Sequence, residues 1–106
     1  MRLETVGDVI AIRKLQVLGE PGRKVHVKLG KPQPSPDSPD IECYRPFQIT
    51  GAGDERVRYA AGVDAFQAIK LTFRLIASSL SRINRDLDGK LRWDFDNGGG
   101  LGFAES

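Results

Sequence analysis

Cysteine and histidine each occur once, as Cys43 and His26, and tryptophan once, as Trp93. A lone thiol forms no internal disulfide, and one thiol with one imidazole cannot assemble the four-ligand sets of structural zinc. No metal or cofactor is therefore expected, and a reducing compartment is the simplest setting. Long apolar runs are missing too: no stretch approaches the roughly 20 residues that cross a bilayer. The opening Met1-Arg2-Leu3-Glu4 has no apolar core of the kind a secretory leader needs, so a cytoplasmic protein without membrane contact is expected. The charge excess is only +2, too small to name a partner. Acids are absent from one place in particular, the stretch between Ala65 and Arg85.

What is present is ordinary globular material, 40% hydrophobic and 28% charged over 106 residues, enough for one core and one domain covering 1–106. The segment Asp64 to Asn84 predicts a long helix. Phe66, Ile69, Phe73, Ile76, Leu80 and Ile83 recur at steps of three and four, which places them on one face, widened by Ala65, Ala68 and Leu75. Asp64 is positioned to cap its start, with Gln67 completing a capping-box-like pair, and Asp88-Gly89 supplies a turn at its end.

Val9 to Leu18 predicts a strand and Lys24 to Gly30 another, joined through Gly19-Glu20-Pro21-Gly22. In the second, Val25, Val27 and Leu29 alternate with Lys24, His26 and Lys28, giving one apolar and one wet face. The first changes phase between Ile10/Ile12 and Leu15/Val17, which calls for a bulge near Arg13 and Lys14 or for cover on both faces. Lys31 to Asp40 holds four prolines and is expected as a mobile loop. A third strand from Ile41 to about Gly51 keeps Ile41, Cys43, Phe47 and Ile49 in phase around Arg45, with Pro46 suiting an edge or a bulge. Arg56 to Tyr59 suggests a short extension, and Leu91, Trp93 and Phe95 a last strand. The tail, 97–106, is glycine-rich and expected to be loose, with Leu101 and Phe103 able to dock. These elements predict an α+β two-layer sandwich: an antiparallel sheet of about four strands on one long helix, in the order βββαβ.

Candidate chemistry is sparse. Lys70, Arg74, Arg82 and Arg85 form a basic side on the helix, which suits either nucleic-acid phosphates or plain solvation, and no aromatics are interleaved for stacking on single strands. Asn84, Asp86 and Asp88-Gly89 match the opening of a calcium loop, but Phe95 stands where a bidentate glutamate is required, so an Asp-Gly turn is the simpler reading. Gly51 and Gly53 lie about ten residues before the helix and lack the spacing of a phosphate cradle. His26 and Cys43 fall in opposite strand phases, so they form no catalytic pair. Trp93 reads as a core anchor under Phe73 or Phe66, with ligand stacking as the alternative.

Several short motifs resemble a family of short, uncharacterised bacterial proteins: Gly62-Val63-Asp64-Ala65-Phe66-Gln67-Ala68-Ile69, Leu29-Gly30-Lys31-Pro32, Tyr44-Arg45-Pro46-Phe47-Gln48-Ile49, Trp93 and Leu101-Gly102-Phe103. The resemblance implies an intact small domain and transfers no functional residue. With no catalytic groups to pair, the expectation is a non-catalytic interaction module, self-associating or binding a protein partner through an uncovered sheet face. A small inhibitor or immunity-type protein is one variant, and weak nucleic-acid binding the other. The residues expected to make contact are Lys24, His26, Lys28, Lys70, Arg74 and Arg82.

Overall fold

The computed structural model describes residue 3 and residues 5–36, 42–95 and 100–103. Six strands and one helix follow in order: β1 (Val9–Val17), β2 (Lys24–Gly30), β3 (Gln33–Pro34), β4 (Cys43–Thr50), β5 (Arg58–Gly62), α1 (Ala65–Asp86) and β6 (Leu91–Arg92). The fold is α+β, with one antiparallel sheet of six strands rather than about four. Two additions account for the difference. Gln33–Pro34, inside the proline-rich stretch read as a loop, pairs with Tyr44 and Cys43. The suggested extension at Arg56 to Tyr59 becomes a full strand, β5, pairing along Cys43 to Phe47. The end of the proline-rich stretch, 37–40, and Ile41, the expected start of the third strand, lie outside the described residues.

β2, β3 and β5 all pair with β4, β2 pairs with β1, and β1 with β6. β5 and β3 both bond Cys43 and Tyr44, and β5 and β2 both bond Phe47. A strand has only two edges, so β2 and β3 share one edge of β4 and β5 takes the other. The helix therefore leaves from the β5 side of the sheet and delivers β6 to the far side, beside β1. Its 22 residues rise about 33 Å at 1.5 Å each, ample for that crossing.

The core is Leu15, Val17, Val25, Val27, Leu29, Phe47 and Ile49 from the sheet, Ile76 and Leu80 from the helix, and Leu91 from β6. Both β2 faces fall as the alternation requires. In β1 the outcome differs: the register shift sits between Val9 and Ala11, not at Arg13-Lys14, and from Ile12 onward the strand keeps a single phase. Ile12 simply faces away from the core. β6 is also shorter than expected, since Trp93 and Phe95 follow it without pairing, and Phe95 is exposed.

The helix buries a face rotated from the one its large residues define. Ala68, Ile76 and Leu80 of the predicted stripe are buried, together with Thr72, Ala77 and Ser79, whereas Phe66 is 85% exposed and Phe73 and Leu75 are 38% and 43% exposed. The cause lies in β5, against which α1 packs together with β4. Gly62 and Ala60 admit the helix closely: a Cβ on Gly62 would lie 2.6 Å from the Ala68 nitrogen. Small residues must then face small residues, and the bulky ones are turned to the flank.

Both helix ends are locally encoded. The Asp64 carboxylate accepts from the Gln67 amide at 2.8 Å, while the Gln67 side-chain oxygen accepts from the Val63 amide at 2.8 Å, one residue earlier than the usual reciprocal bond. At the other end Asp88 and Gly89 both adopt positive φ, and the Gly89 amide donates back to the Asn84 carbonyl at 2.8 Å. The Asn84 side-chain oxygen accepts from the Leu91 amide at 2.9 Å. The residues that resembled a calcium loop thus form a helix stop leading into β6.

Candidate interaction surface

Alternation in antiparallel strands places directly paired residues on the same face. On the face turned from the helix, Ile12 pairs with Lys28, Lys14 with His26 and Gln16 with Lys24. His26 in turn pairs with Thr50 and Lys28 with Gln48. Tyr44 pairs with Ala61 and Pro46 with Tyr59 at the far side, where the two tyrosine rings meet edge to face at 5.9 Å.

Part of this face is covered by the chain itself. Val6 is buried, and a side chain on Gly30 would strike both the Val6 carbonyl and Pro46. A shallow depression lined by Leu3, Thr5, Gln33 and Tyr44 borders that cover. The rest, across β1 and β2, is overlain by no element among the described residues. There Ile10 and Ile12 are 55% and 54% exposed, and Val9 is also largely exposed. Lys14, Lys24, His26 and Lys28 complete a surface that is apolar at one corner and basic across its middle. The paired residues on it include no carboxylate, only Gln16, Gln48 and Thr50 as uncharged neighbours.

The six sequence-predicted contact residues are not brought together. Lys24, His26 and Lys28 lie on this face, but Lys70, Arg74 and Arg82 project from α1, on the opposite side of the sheet. No single flat partner touches both sets at once. Cys43 is half-buried and pairs with Gly62 on the helix side, away from His26.

Four arginines with structural settings escaped the sequence reading. Arg45 shares the core phase of Phe47 and Ile49 and is buried; its Nη1 donates to the Gly30 carbonyl at 3.5 Å, and its Nε has no partner among the described residues. Burial lowers its pKa, with the nearby Cys43 opposing that shift. Arg13 also faces the helix side. Its guanidinium carbon lies 3.8 Å over the Trp93 ring and 4.8 Å from the Phe103 ring, and Nη1 donates to the Leu101 carbonyl at 3.3 Å. Trp93 accordingly stacks on an arginine instead of under Phe73 or Phe66, and Phe73 meets Phe103 at 6.2 Å. Arg56 and Arg58 both bind Asp54, at 2.9 and 3.5 Å. Hydrogen bonds from the Arg56 side chain and backbone hold the Asp54 carboxyl down at about 2, with the charges of Arg56 and Arg58 adding to the effect. The visible signals were an arginine in core phase at 45 and an unexplained phase at Ile10 and Ile12.

Among the described residues, no helix is long and apolar enough to cross a membrane, and no group of three or more His, Cys, Asp or Glu side chains is placed to hold a metal. No curated protein and no solved structure matches the chain. A family model does match, over residues 11–105, taking in every element from within β1 to β6 and the docked Leu101–Phe103 segment, and the chain belongs to that family, described as a domain of unknown function, DUF6968.

Proposed function

We propose that the protein is a non-catalytic interaction module that binds another polypeptide on the uncovered face of β1 and β2. The observation that carries this reading is Ile10 and Ile12, each more than half exposed in the first half of a strand whose second half buries Leu15 and Val17. Two β-branched side chains held out from a sheet gain about 25 cal/mol for each Å² of apolar surface that a partner covers. Lys14, Lys24, His26 and Lys28 beside them favour a partner with acidic side chains over a second copy, because a two-fold contact through this face brings like charges together. An acidic protein target also suits the inhibitor-type variant.

The test is a titration of the chain with a peptide of alternating glutamate and valine, followed by amide shifts, beside a DNA duplex of equal charge and a solution mass measured over a concentration series. The peptide is expected to move amides of β1 and β2, to weaken with added salt, and to lose its effect in the I10D/I12D double variant. Equal or tighter binding of the duplex transfers the reading to nucleic acid. A strictly concentration-dependent dimer with no peptide binding makes the second copy the occupant. Absence of all three overturns the module.

A further inference from the structure

On the other side of the sheet, where the helix meets the β4–β5 connection, lies a crevice of about 230 Å³. Its lining is mixed: Ala52 and Ile83, with the edges of the buried Phe47 and Ile49, give the apolar part, and Arg56, Arg58, Arg82 and Ser79 belong to the polar part. Asp54 and Asp86 also line it, leaving an excess of one positive charge. These residues are distinct from the uncovered sheet face, so a ligand in the crevice neither needs nor excludes a polypeptide bound on β1 and β2.

The arginines are not equivalent. Arg56 is committed to Asp54, whose carboxylate takes both its Nε and its backbone amide at 3.0 to 3.1 Å. Arg58 is positioned more loosely: Nη1 reaches the Ser79 hydroxyl at 3.5 Å and Nη2 reaches Asp54 at 3.5 Å, both too long to use its donors fully. Its side chain is one-third exposed, held between helix and loop with the guanidinium at the crevice. Arg82 stands one helical turn beyond Ser79, on the same lining, and takes part in none of the described ion pairs. Asp86, four residues further, lines the crevice without closing an ion pair to it.

Two guanidinium groups with unspent donors on the lining of one crevice have a definite chemical complement. Guanidinium forks match the geometry of carboxylate and phosphate oxygens, and charge-assisted bonds of this kind are about twice as strong as neutral ones. The crevice has room for more than an ion, since about 230 Å³ far exceeds the roughly 10–15 Å³ that holds one water. We propose that this crevice binds a small organic oxyanion, a carboxylate or phosphate monoester with an apolar body, with Arg58 and Arg82 holding the oxyanion and Ala52 and Ile83 contacting the body.

Four probes separate the parts of this claim: phenyl phosphate, benzoate, inorganic phosphate and benzyl alcohol, each titrated into the intact chain at constant ionic strength and read by amide shifts. Phenyl phosphate, benzoate or both are expected to saturate, with shifts centred on Ala52, Arg58, Ser79 and Ile83. Whichever binds more tightly identifies the anion class. Inorganic phosphate and benzyl alcohol should each bind at least tenfold more weakly than the better of the two. R82Q, a change at an exposed helix position, should weaken the organic anion by roughly tenfold, the loss of one charged hydrogen-bonding partner, and R82K should restore only part of it. Inorganic phosphate binding as well as phenyl phosphate reduces the crevice to a cationic patch and overturns the proposal. So does benzyl alcohol binding equally well, an R82Q variant that binds like the parent, or no saturation with any probe.

Discussion

Single residues carry most of the electrostatics, and they do so in pairs that lie close in sequence. Asp54 is the clearest case. Folded, it ionises at about 2 instead of the ordinary 3.8, because Arg56 donates to it and Arg58 stands beside it. The unfolded chain takes up that proton first as pH falls, so the contribution of the carboxylate is complete above about pH 4 and is lost as pH descends toward 2. D54N should flatten the acid limb of the stability curve over that window by lowering stability above about pH 4, bringing it toward the value the parent has near pH 2. Denaturant midpoints at several pH values, with the Asp54 carboxyl carbon titrated by NMR, check both statements. An Asp54 midpoint near the ordinary value would show that the Arg56 contact does not persist in solution. Among these residues, the Asp54–Arg56 pair was open to sequence reading in principle, being two residues apart. Arg58 with Ser79 was not, because that contact closes only once helix and loop are packed.

Within elements, local rules and tertiary packing part company most visibly in α1. Existence, capping and termination of the helix follow from Asp64, Gln67 and Asp88-Gly89, each acting over a few residues. Which face it buries does not. The largest apolar residues nominate a stripe through Phe66 and Phe73, but α1 packs on β5, where Gly62 leaves space only for a close approach by Ala68. Ile76→Ala should therefore cost about 2–5 kcal/mol, the range for deleting a fully buried aliphatic side chain. Phe66→Ala should stay within about 0.5 kcal/mol of the parent, as surface changes do. Ile76 lies on both the predicted stripe and the buried face, so urea denaturation of Phe66→Ala decides between them: a large loss there would restore the full stripe that periodicity alone suggests. β1 shows the same division in a strand. The phase change at Ile10 and Ile12 was legible, but its meaning depends on what lies above the sheet, and there Ile12 meets no cover among the described residues.

At the scale of the whole molecule, segments near the ends of the chain act as covers. Residues near the start bury Val6 against Gly30 and Pro46 on one face. On the other, Leu101–Phe103 is held by Arg13, which stacks on Trp93 and Phe103 and donates to the Leu101 carbonyl. A groove of about 170 Å³ between β1 and α1, lined by Leu29, Phe73 and Ile76, has Phe103 as one wall. Arg13 is thus the link between sheet and tail. Because Trp93 is the only tryptophan, its emission reports on that link directly. R13A should shift the emission to longer wavelength and cost about 0.5–2 kcal/mol, the range for a cation over an aromatic ring. R13K should retain part of both, and an unchanged spectrum in R13A would mean the tail does not rest on Trp93 in solution.

Local pattern was sufficient for the α+β class, the alternating faces of β2, and the helix with its cap and stop. All of these rest on interactions a few residues long or on periodicities of two and 3.6 that survive any arrangement in space. That Gln33–Pro34 and Arg58–Gly62 are strands emerged only on folding, because strand formation there depends on β4 offering both its edges. Folding likewise selected which face α1 buries, divided the predicted contact residues between two sides of the sheet, and placed Arg58 and Arg82 on the lining of one crevice. Pairing and packing of this kind join residues far apart in the chain, and no local pattern records which distant partner each will find.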